Sequence, residues 1–386
     1  MIQEHEGERD LIRSFVKQLS AKYDRRYWVE CATKGVGVEE MWRELGRAGY
    51  LGVTVPEEYG GAGVSMARLT ILMEELANQG VPTLFLVVSA AMGAIPIAKY
   101  GTEEQRRRHL PSLADGSEKF CFAITEPDAG SNSFKIRTLA RRDGDHYVLN
   151  GQKVFISGAD QAQHMLVVAR TTPADKVKDK REGMSLFIVD TNAAGLEMHK
   201  MDTRILMPEG QFELFFDDVR IPVTNRLGDE GQGLSAIFDA LNPERITVAA
   251  TSVGVGRYAL NKAVEYAGTR KVFNVPIGAH QGLSHPMAIA KTHIELASLM
   301  TNHAAQVFDN GGDAGMYANM AKYAAAEAGI EAVDLAMQVH GGSGFTGEVD
   351  LITLWPFVRL MRTAPVSREM ILNYIGEHVL GLPRSY

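Results

Sequence analysis

The first third of the chain carries apolar residues at helical spacing. One such apolar face comprises Leu11, Ile12, Phe15, Val16 and Leu19. The same spacing recurs from Met41 to Leu51 and is punctuated by Gly49 and Gly52. Apolar side chains three and four positions apart line one side of an α-helix, where they can pack against a core. Residues 1–117 are therefore predicted to form an N-terminal all-helical domain.

Between residues 118 and 227 the pattern changes to the short apolar runs that are typical of strands. Such runs occur at Phe120–Ile124, Phe134–Arg142, His146–Leu149, His164–Arg170, Met184–Asp190 and Gly210–Ile221. Asp143-Gly144-Asp145 has the composition of a hairpin turn. The pattern predicts a central antiparallel β domain, barrel-like in shape, inserted between two helical parts.

From residue 228 to residue 386 the helical pattern returns. Long apolar helices are predicted at Gly231–Ala267, His285–Asn310, Ala314–Val339 and Val366–Leu380. Pro243 lies within the first of these and predicts a kink or a break there, because proline lacks a backbone N–H. Helices of this length are typical of a four-helix bundle. The chain as a whole is predicted to be α+β with three domains.

Composition narrows the class of protein. The net charge of −7 over 386 residues argues against an extended nucleic-acid surface, although a local basic patch could bind phosphates. Two cysteines, Cys31 and Cys121, indicate neither a disulfide framework nor a metal cluster. The acidic first ten residues lack the pattern of a signal or transit peptide, and no apolar run reaches the ~18 residues of a membrane helix. We therefore expect a cytoplasmic protein with no membrane span and no metal.

One stretch carries candidate chemistry. The predicted strand at Phe120–Ile124 ends at Glu126-Pro127, and Asp128–Asn132 follows as a loop rich in turn-forming residues. Such an edge presents backbone N–H groups and the hydroxyls of Thr125 and Ser131, which could hydrogen-bond a flat heteroaromatic cofactor or a thioester. The alternative is an ordinary corner between a strand and a turn.

The stretch from Phe122 to Asn132 resembles the flavin-binding segment of the acyl-CoA dehydrogenase family, an aromatic residue followed by xxTEPxAGSD. Further stretches match the same family in order and at compatible distances: Asn150-Gly151-Gln152-Lys153 with Phe155-Ile156-Ser157-Gly158, Phe215–Pro222, Arg270-Lys271-Val272-Phe273 with Gln281, and Gln338-Val339-His340-Gly341-Gly342. The resemblance extends over essentially the whole chain. It implies an acyl-CoA dehydrogenase-like fold, bound FAD, an acyl-CoA substrate, an electron-transfer flavoprotein as partner, and a homotetramer built as a dimer of dimers.

The resemblance also implies site residues. The expected FAD contacts are Phe122, Ile124, Thr125, Ser131, Phe155, Ser157, Arg270, Phe273, Gln281, Gln338, Gly341, Gly342 and Ser367. Of these, Arg270, Phe273 and Gln281 are expected to reach the diphosphate and adenine across a subunit boundary. Arginine suits a diphosphate because its planar fork donates two hydrogen bonds, and glycine lets the backbone approach a cofactor closely. Ser131 and Arg245 are expected to contact the substrate. The alternative for Phe155 is a core residue of the sheet domain, and His340 is interpreted as non-catalytic.

The general base needs a separate argument. Many members of the family place a glutamate in a Tyr-Glu-Gly-Thr phrase, which here falls on Ala364-Pro365-Val366-Ser367, and Pro365 cannot accept a proton. Isovaleryl-CoA and crotonobetainyl-CoA dehydrogenases instead have a glutamate on the long helix directly before an arginine. That position is Glu244, whose neighbours Leu241, Ile246, Val248 and Ala249 are apolar.

Desolvation by apolar neighbours raises a carboxyl pKa towards the range useful for proton abstraction. Glu244 is therefore predicted to be the catalytic base, against the alternative of a Glu-Arg pair on a helix surface. Glu348 and Glu369 are reserve candidates. The implied reaction is α,β-dehydrogenation of an acyl-CoA to the trans-2,3-enoyl-CoA, with the flavin N5 as hydride acceptor. The alternatives are an acyl-CoA oxidase, a flavin monooxygenase, or a catalytically silent flavin- or CoA-binding subunit. The acyl-pocket floor is expected near Val88–Met92 and Leu234–Leu241.

Overall fold

Helices make up the N-terminal part of the chain. The computed structural model describes residues 2–180 and 182–384, and the side chains of residues 2–6, 234–236 and 238 lie outside that description. The first six α-helices are α1 (Ile2–Ser20), α2 (Arg25–Lys34), α3 (Glu39–Arg47), α4 (Met66–Asn78), α5 (Ile95–Tyr100) and α6 (Glu103–Asp115). Local sequence sets their ends, since Thr102 and Gln105 form a reciprocal capping box at the start of α6.

The central region is a mixed β-sheet. Its strands are β1 (Phe120–Ala123), β2 (Leu139–Asp143), β3 (His146–Ser157), β4 (His164–Arg170), β5 (Met184–Asp190), β6 (Leu196–Lys200), β7 (Gln211–Pro222) and β8 (Arg226–Leu227). The path runs β6-β7-β3-β2-β4-β5-β8, and β1 joins it on β4. Most neighbours are antiparallel, as predicted, but β1 and β2 both pair parallel to β4. The strand expected to begin at Phe134 begins at Leu139, and residues 133–135 form a 3₁₀ turn instead.

The C-terminal region is helical again. It contains α7 (Gly233–Thr269), a hairpin of β9 (Lys271–Val272) and β10 (Val275–Pro276), α8 (Gln281–Asp309), α9 (Gly315–His340), α10 (Leu354–Met361) and α11 (Arg368–Tyr374). Helices α7, α8 and α9 pack on one another, α11 packs on α9, and α4 packs on α7 and α8. The hydrophobic pattern did not predict α10.

Of the kink or break expected at Pro243, the break does not occur. Helix α7 continues through Pro243, and the hydroxyl of Thr247 donates to the Pro243 carbonyl at 2.9 Å. The segment lies between neighbouring helices, whose packing maintains the helix where one backbone hydrogen bond is missing. Glu244 is therefore held on a continuous helix rather than at a hinge.

A buried π-helical segment, Leu86–Ala94, connects the three regions. It packs against both α7 and β1, and the hydroxyl of Ser89 accepts a hydrogen bond from the Phe120 backbone N–H at 3.0 Å. Val88–Met92, expected at the floor of an acyl pocket, is buried within it. The side chains of Leu234–Ala236 and Phe238, in the second expected part of that floor, are outside the described residues. None of the described helices combines the length and apolarity needed to cross a bilayer.

Candidate active site

The first two sequence motifs lie side by side at the edge of the sheet. Phe122 is a buried residue of β1. Just beyond the end of this strand, the backbone carbonyl of Thr125 accepts a hydrogen bond from the backbone N–H of Val154 on β3 at 2.9 Å. The contact therefore brings Thr125 next to Phe155. Ile124 and Thr125 are half-buried, whereas Ser131 is exposed in the following loop.

A buried ion pair between Lys153 and Glu126 links these two motifs. The Lys153 ammonium donates to the Glu126 carboxylate and to the Ile124 carbonyl, both at 2.9 Å. Glu126 also accepts from the hydroxyl of Thr138 at 2.6 Å and from the Arg137 N–H at 2.7 Å. Burial by itself would raise the pKa of Glu126, but Lys153 and these hydrogen bonds outweigh it and leave the pKa lowered. Burial lowers the pKa of Lys153 to about 8, against the opposing charge of Glu126.

Phe155 and Ser157 occupy a part of β3 that differs from ordinary strand. Phe155 has a φ of 58° and leaves 59% of its side chain exposed. A core residue would be buried, so the alternative of Phe155 as a core side chain is wrong. The Ser157 hydroxyl accepts from the Gln211 amide at 2.9 Å. An exposed aromatic face beside a hydroxyl suits a flat ring such as an isoalloxazine.

Glu244 lies on α7 and is half-buried. No hydrogen bond from the described part of the chain reaches its carboxylate. Burial raises the pKa of Glu244 to about 7, and the positive charges of Arg245 and Lys322 oppose the rise. A carboxyl with a pKa near neutrality can accept a proton under ordinary conditions.

The C-terminal phrase that lacks the usual glutamate lies close to the same carboxyl. The buried Lys322 on α9, one of the two cations that act on Glu244, donates to the Val366 carbonyl at 2.6 Å. Pro365 is the preceding residue, and Ser367 caps α11 by accepting from the Met370 N–H at 3.3 Å. The long helix and the C-terminal phrase thus approach each other through Lys322.

Arg245 extends the polar surroundings of Glu244. Its Nη1 donates to the Asn242 side chain at 2.9 Å, and its Nε is buried without a hydrogen-bond partner among the described residues. Burial lowers the pKa of Arg245, with Glu244 and then Tyr374 opposing. A buried unpaired N–H is costly unless a ligand accepts from it. This geometry is compatible with the expected contact to substrate.

A second part of the site is a groove at the far ends of α7 and α9. Its volume is about 610 Å³, and four of the expected FAD contacts line it: Arg270, Gln338, Gly341 and Gly342. A Cβ at either glycine would meet no atom within 4 Å, and Gly341 has a φ of 57°. The groove also includes Tyr266 stacked on His340, with ring centroids 4.4 Å apart. A cationic fork, an amide and open glycine backbone fit a dinucleotide phosphate.

Phe273 and Gln281, the two expected contacts that follow Arg270 in the chain, do not line this groove. Phe273, 90% exposed with a φ of 51°, lies in the β9–β10 hairpin, and the exposed Gln281 begins α8. The structure also reveals residues to which the sequence analysis assigned no role, namely Glu126, Thr138, Lys153 and Lys322. Lys322 carried a recognisable signal, because it is a lone charge among buried alanines at helical spacing, Ala318, Ala321 and Ala325.

The chain belongs to the acyl-CoA dehydrogenase family. The family model of the N-terminal domain matches residues 3–117, that of the middle domain residues 121–219, and that of the C-terminal domain residues 231–380. Members of this family use FAD, so the protein is a flavoprotein oxidoreductase. The expected family, fold class and cofactor are thereby confirmed.

Particular relatives sharpen the assignment. Acyl-CoA dehydrogenase FadE12 of Mycobacterium tuberculosis is 49% identical over 381 residues, which cover 98% of this chain and 97% of the relative. A solved glutaryl-CoA dehydrogenase of Mycobacterium smegmatis in complex with FADH2 is 27% identical, with a TM-score of 0.88 over 100% of this chain and 96% of that one. A structure described as the electron transferring flavoprotein of Acidaminococcus fermentans contains a chain 29% identical, with a TM-score of 0.91 over 97% and 98%.

Proposed function

We propose that this protein oxidises an acyl-CoA thioester to the trans-2,3-enoyl-CoA, with Glu244 as the base that removes the α-proton. The observation that carries the proposal is the state of Glu244: half-buried, free of hydrogen bonds from the described residues, and with a pKa raised to about 7. The position that holds the base in many relatives is occupied by Pro365, one residue before the Val366 carbonyl that Lys322 contacts.

In this proposal, different residues of the chain remove the proton, bind the cofactor and contact the substrate. Glu244 takes the α-proton while Arg245 and Lys322 keep its ionised form accessible, because both lower a pKa that burial raises. FAD, when bound, accepts the hydride that leaves the β-carbon. Phe122, Ile124, Thr125, Ser131, Phe155, Ser157 and Ser367 hold the ring end of the cofactor, and Arg270, Gln338, Gly341 and Gly342 hold the dinucleotide end. Arg245 and Ser131 contact the substrate.

The same proposal includes the assembly and the electron acceptor. We assign Arg270, Phe273 and Gln281 to the FAD of a neighbouring subunit in a dimer of dimers. Phe273 and Gln281 are exposed and lie outside the groove of their own chain, which supports this assignment. Ile289, Leu296 and Leu299 expose 51%, 59% and 67% of their side chains on α8, which suits a subunit contact. We assign an electron-transfer flavoprotein as acceptor, supported by the description of the Acidaminococcus relative. Cytoplasmic localisation remains a prediction.

The test is an anaerobic reaction of the FAD-bound enzyme with a panel of acyl-CoA thioesters, followed by flavin absorbance. Glu244→Gln keeps the size of the side chain but removes the base, so we expect FAD to stay bound and bleaching to slow by roughly 10²–10⁴-fold. Matched controls are Glu348→Gln and Glu369→Gln, which should bleach at the native rate.

Two results would contradict the proposal. Native bleaching by Glu244→Gln would exclude it as the base, and loss of bleaching in Glu369→Gln or Glu348→Gln would transfer the role to a reserve candidate. The proline at position 365 is the observation that favours an oxygen-using relative as second candidate. A flavin that bleaches with acyl-CoA alone and is then reoxidised by an electron-transfer flavoprotein faster than by oxygen excludes that candidate.

A further inference from the structure

A second cluster of polar side chains lies on the side of the sheet where α6 packs, apart from Glu244 and the groove. His109 belongs to α6, Glu118 to the loop after it, and His164 begins β4. One ligand atom from each of the three lies within 4.8 Å of the other two. His109 is 8% exposed and His164 7% exposed, while Glu118 is half-buried and reaches solvent.

Two ring nitrogens in this cluster lack partners. Nδ1 of His109 and Nε2 of His164 are buried and make no hydrogen bond with the described residues. Nε2 of His164 lies 3.4 Å from Oε2 of Glu118, outside hydrogen-bond geometry. Buried polar atoms without partners are uncommon, and an ion is one of the groups that satisfies them.

One distance in the cluster suits a tetrahedral ion. Zinc bonds to nitrogen and carboxylate oxygen of about 2.0–2.1 Å place two ligand atoms about 3.3–3.5 Å apart, and the distance between His164 Nε2 and Glu118 Oε2 is 3.4 Å. The other nitrogen of His164, Nδ1, lies 2.7 Å from Oδ1 of Asp190. Zinc-bound histidines commonly hold their second nitrogen on a carboxylate in this way.

The remaining contacts of Glu118 leave room for an ion. Arg108 donates to Oε1 at 3.3 Å, with a longer contact of 3.5 Å to Oε2, and the Ser112 hydroxyl donates to Oε2 at 2.8 Å. A carboxylate oxygen has two lone pairs, so Oε2 can keep Ser112 and still bind a cation. The mixed nitrogen and oxygen donors favour Zn²⁺ or a similar transition-metal ion over Mg²⁺.

We propose that His109, Glu118 and His164 bind one Zn²⁺ ion, with water in the fourth position and Asp190 orienting His164. The ion joins α6 to β4 beside β1. Phe120 pairs with His164 in the sheet and its ring packs against both imidazoles. Phe120 precedes the flavin-binding Phe122 by two residues, so the ion stabilises the strand on which the cofactor segment begins. The cysteine count had predicted no metal.

The experiment uses untagged, FAD-bound enzyme treated with EDTA and dialysed. Titration calorimetry with ZnCl₂ should show one site per chain, whereas MgCl₂ should show none, and Zn²⁺ should raise the melting temperature. Glu118→Gln replaces the carboxylate of a half-buried residue by an amide, and His109→Gln replaces the imidazole by another polar side chain. Each variant should weaken Zn²⁺ binding at least tenfold. His146→Gln is the matched control, because His146 Nδ1 also contacts an aspartate, Asp145, at 2.6 Å, but on the exposed surface.

Zinc-edge X-ray absorption of the wild-type enzyme supplies a readout that does not depend on the variants folding. The expected spectrum has two imidazole ligands and oxygen, with no sulfur. Wild-type enzyme that takes up no stoichiometric Zn²⁺ at micromolar concentration would overturn the proposal and leave a metal-free ion-pair cluster. Equal Zn²⁺ binding by Glu118→Gln, His109→Gln and His146→Gln, or a spectrum with sulfur ligands, would overturn it as well.

Discussion

Two carboxylates, the buried Glu126 in the sheet domain and the half-buried Glu244 on the long helix, shift their pKa values in opposite directions. Burial raises both pKa values. Glu126 nevertheless ends below its usual range, because Lys153, Thr138 and the Arg137 N–H all stabilise its charge. Glu244 ends near 7, because no described residue donates a hydrogen bond to it and the cations Arg245 and Lys322 act on it without a hydrogen bond.

The comparison shows that a paired cation together with hydrogen bonds, and not burial alone, decides whether a carboxyl out of water stays ionised. Glu126 stays ionised and holds two motifs together, so it contributes to structure. Glu244 keeps its lone pairs available at a pKa suited to proton transfer. The fold stabilises the charge of Glu126 and leaves that of Glu244 poorly solvated. One carboxyl therefore has a structural role and the other a reactive one.

The largest expected effect comes from breaking the Glu126 pair. Lys153→Met leaves the Glu126 charge buried without its cation, and we expect a loss of about 3–5 kcal/mol in the free energy of unfolding. Urea unfolding at fixed protein and FAD concentration measures it. Lys34→Met is the control, because Lys34 pairs with Glu30 at 2.5 Å on the exposed surface and should cost less than about 1 kcal/mol. Equal losses in the two variants would contradict the structural role of Glu126.

The second effect concerns pH and stability at Glu244. Its folded pKa lies above its unfolded value, so its stabilising contribution is complete below about pH 4.5 and is lost as pH rises through about 7. Glu244→Gln cannot ionise and should therefore gain stability relative to wild type between pH 5 and pH 8, by up to about 3 kcal/mol. Melting temperatures measured across that range test this. A stability difference that is independent of pH would show that Glu244 is not desolvated.

The third effect is the loss of one hydrogen bond to Glu126. Thr138→Val keeps the shape of the side chain but removes the hydroxyl that donates at 2.6 Å, and we expect a cost of about 1.5–3 kcal/mol. Thr292→Val is the control, since its exposed hydroxyl bonds to the Ala288 carbonyl of its own helix. The same urea titration compares them. If Thr292→Val loses as much unfolding free energy as Thr138→Val, the hydrogen bond to Glu126 contributes no more to stability than one on an exposed helix.

The smallest expected effect concerns the positive charge of Lys322, which acts on Glu244. Lys322→Met removes a positive charge that lowers the pKa of Glu244, so the pH profile of flavin reduction should move to higher pH. The rate at pH 6 should fall by less than roughly tenfold. Lys262→Met is the control, because Lys262 also donates to a backbone carbonyl, that of Val349, at 2.9 Å. Stopped-flow reduction from pH 5.5 to 9 measures both. A profile that moves equally in both variants would assign the effect to general destabilisation, and one that does not move in Lys322→Met would contradict the action of Lys322 on Glu244.

The amino-acid sequence was enough to predict the order of helical and sheet regions, the family and the FAD cofactor. These inferences succeed because hydrophobic period and motif residues are local properties of the chain. Glu244 as the catalytic base, also inferred from the sequence, stays a prediction. The apolar residues around Glu244 even predicted the direction of its pKa shift, since residues adjacent on a helix contribute to its desolvation.

The tertiary structure alone decided which distant side chains meet. Glu126 and Lys153, Lys322 and Val366, and His109 and His164 are pairs separated by 27, 44 and 55 positions, and nothing in their local patterns links them. The parallel pairing of β1 with β4 and the continuation of α7 through Pro243 also depend on neighbouring elements. Such contacts arise from packing between elements, and their electrostatics follow from burial and distance, which a linear pattern does not specify.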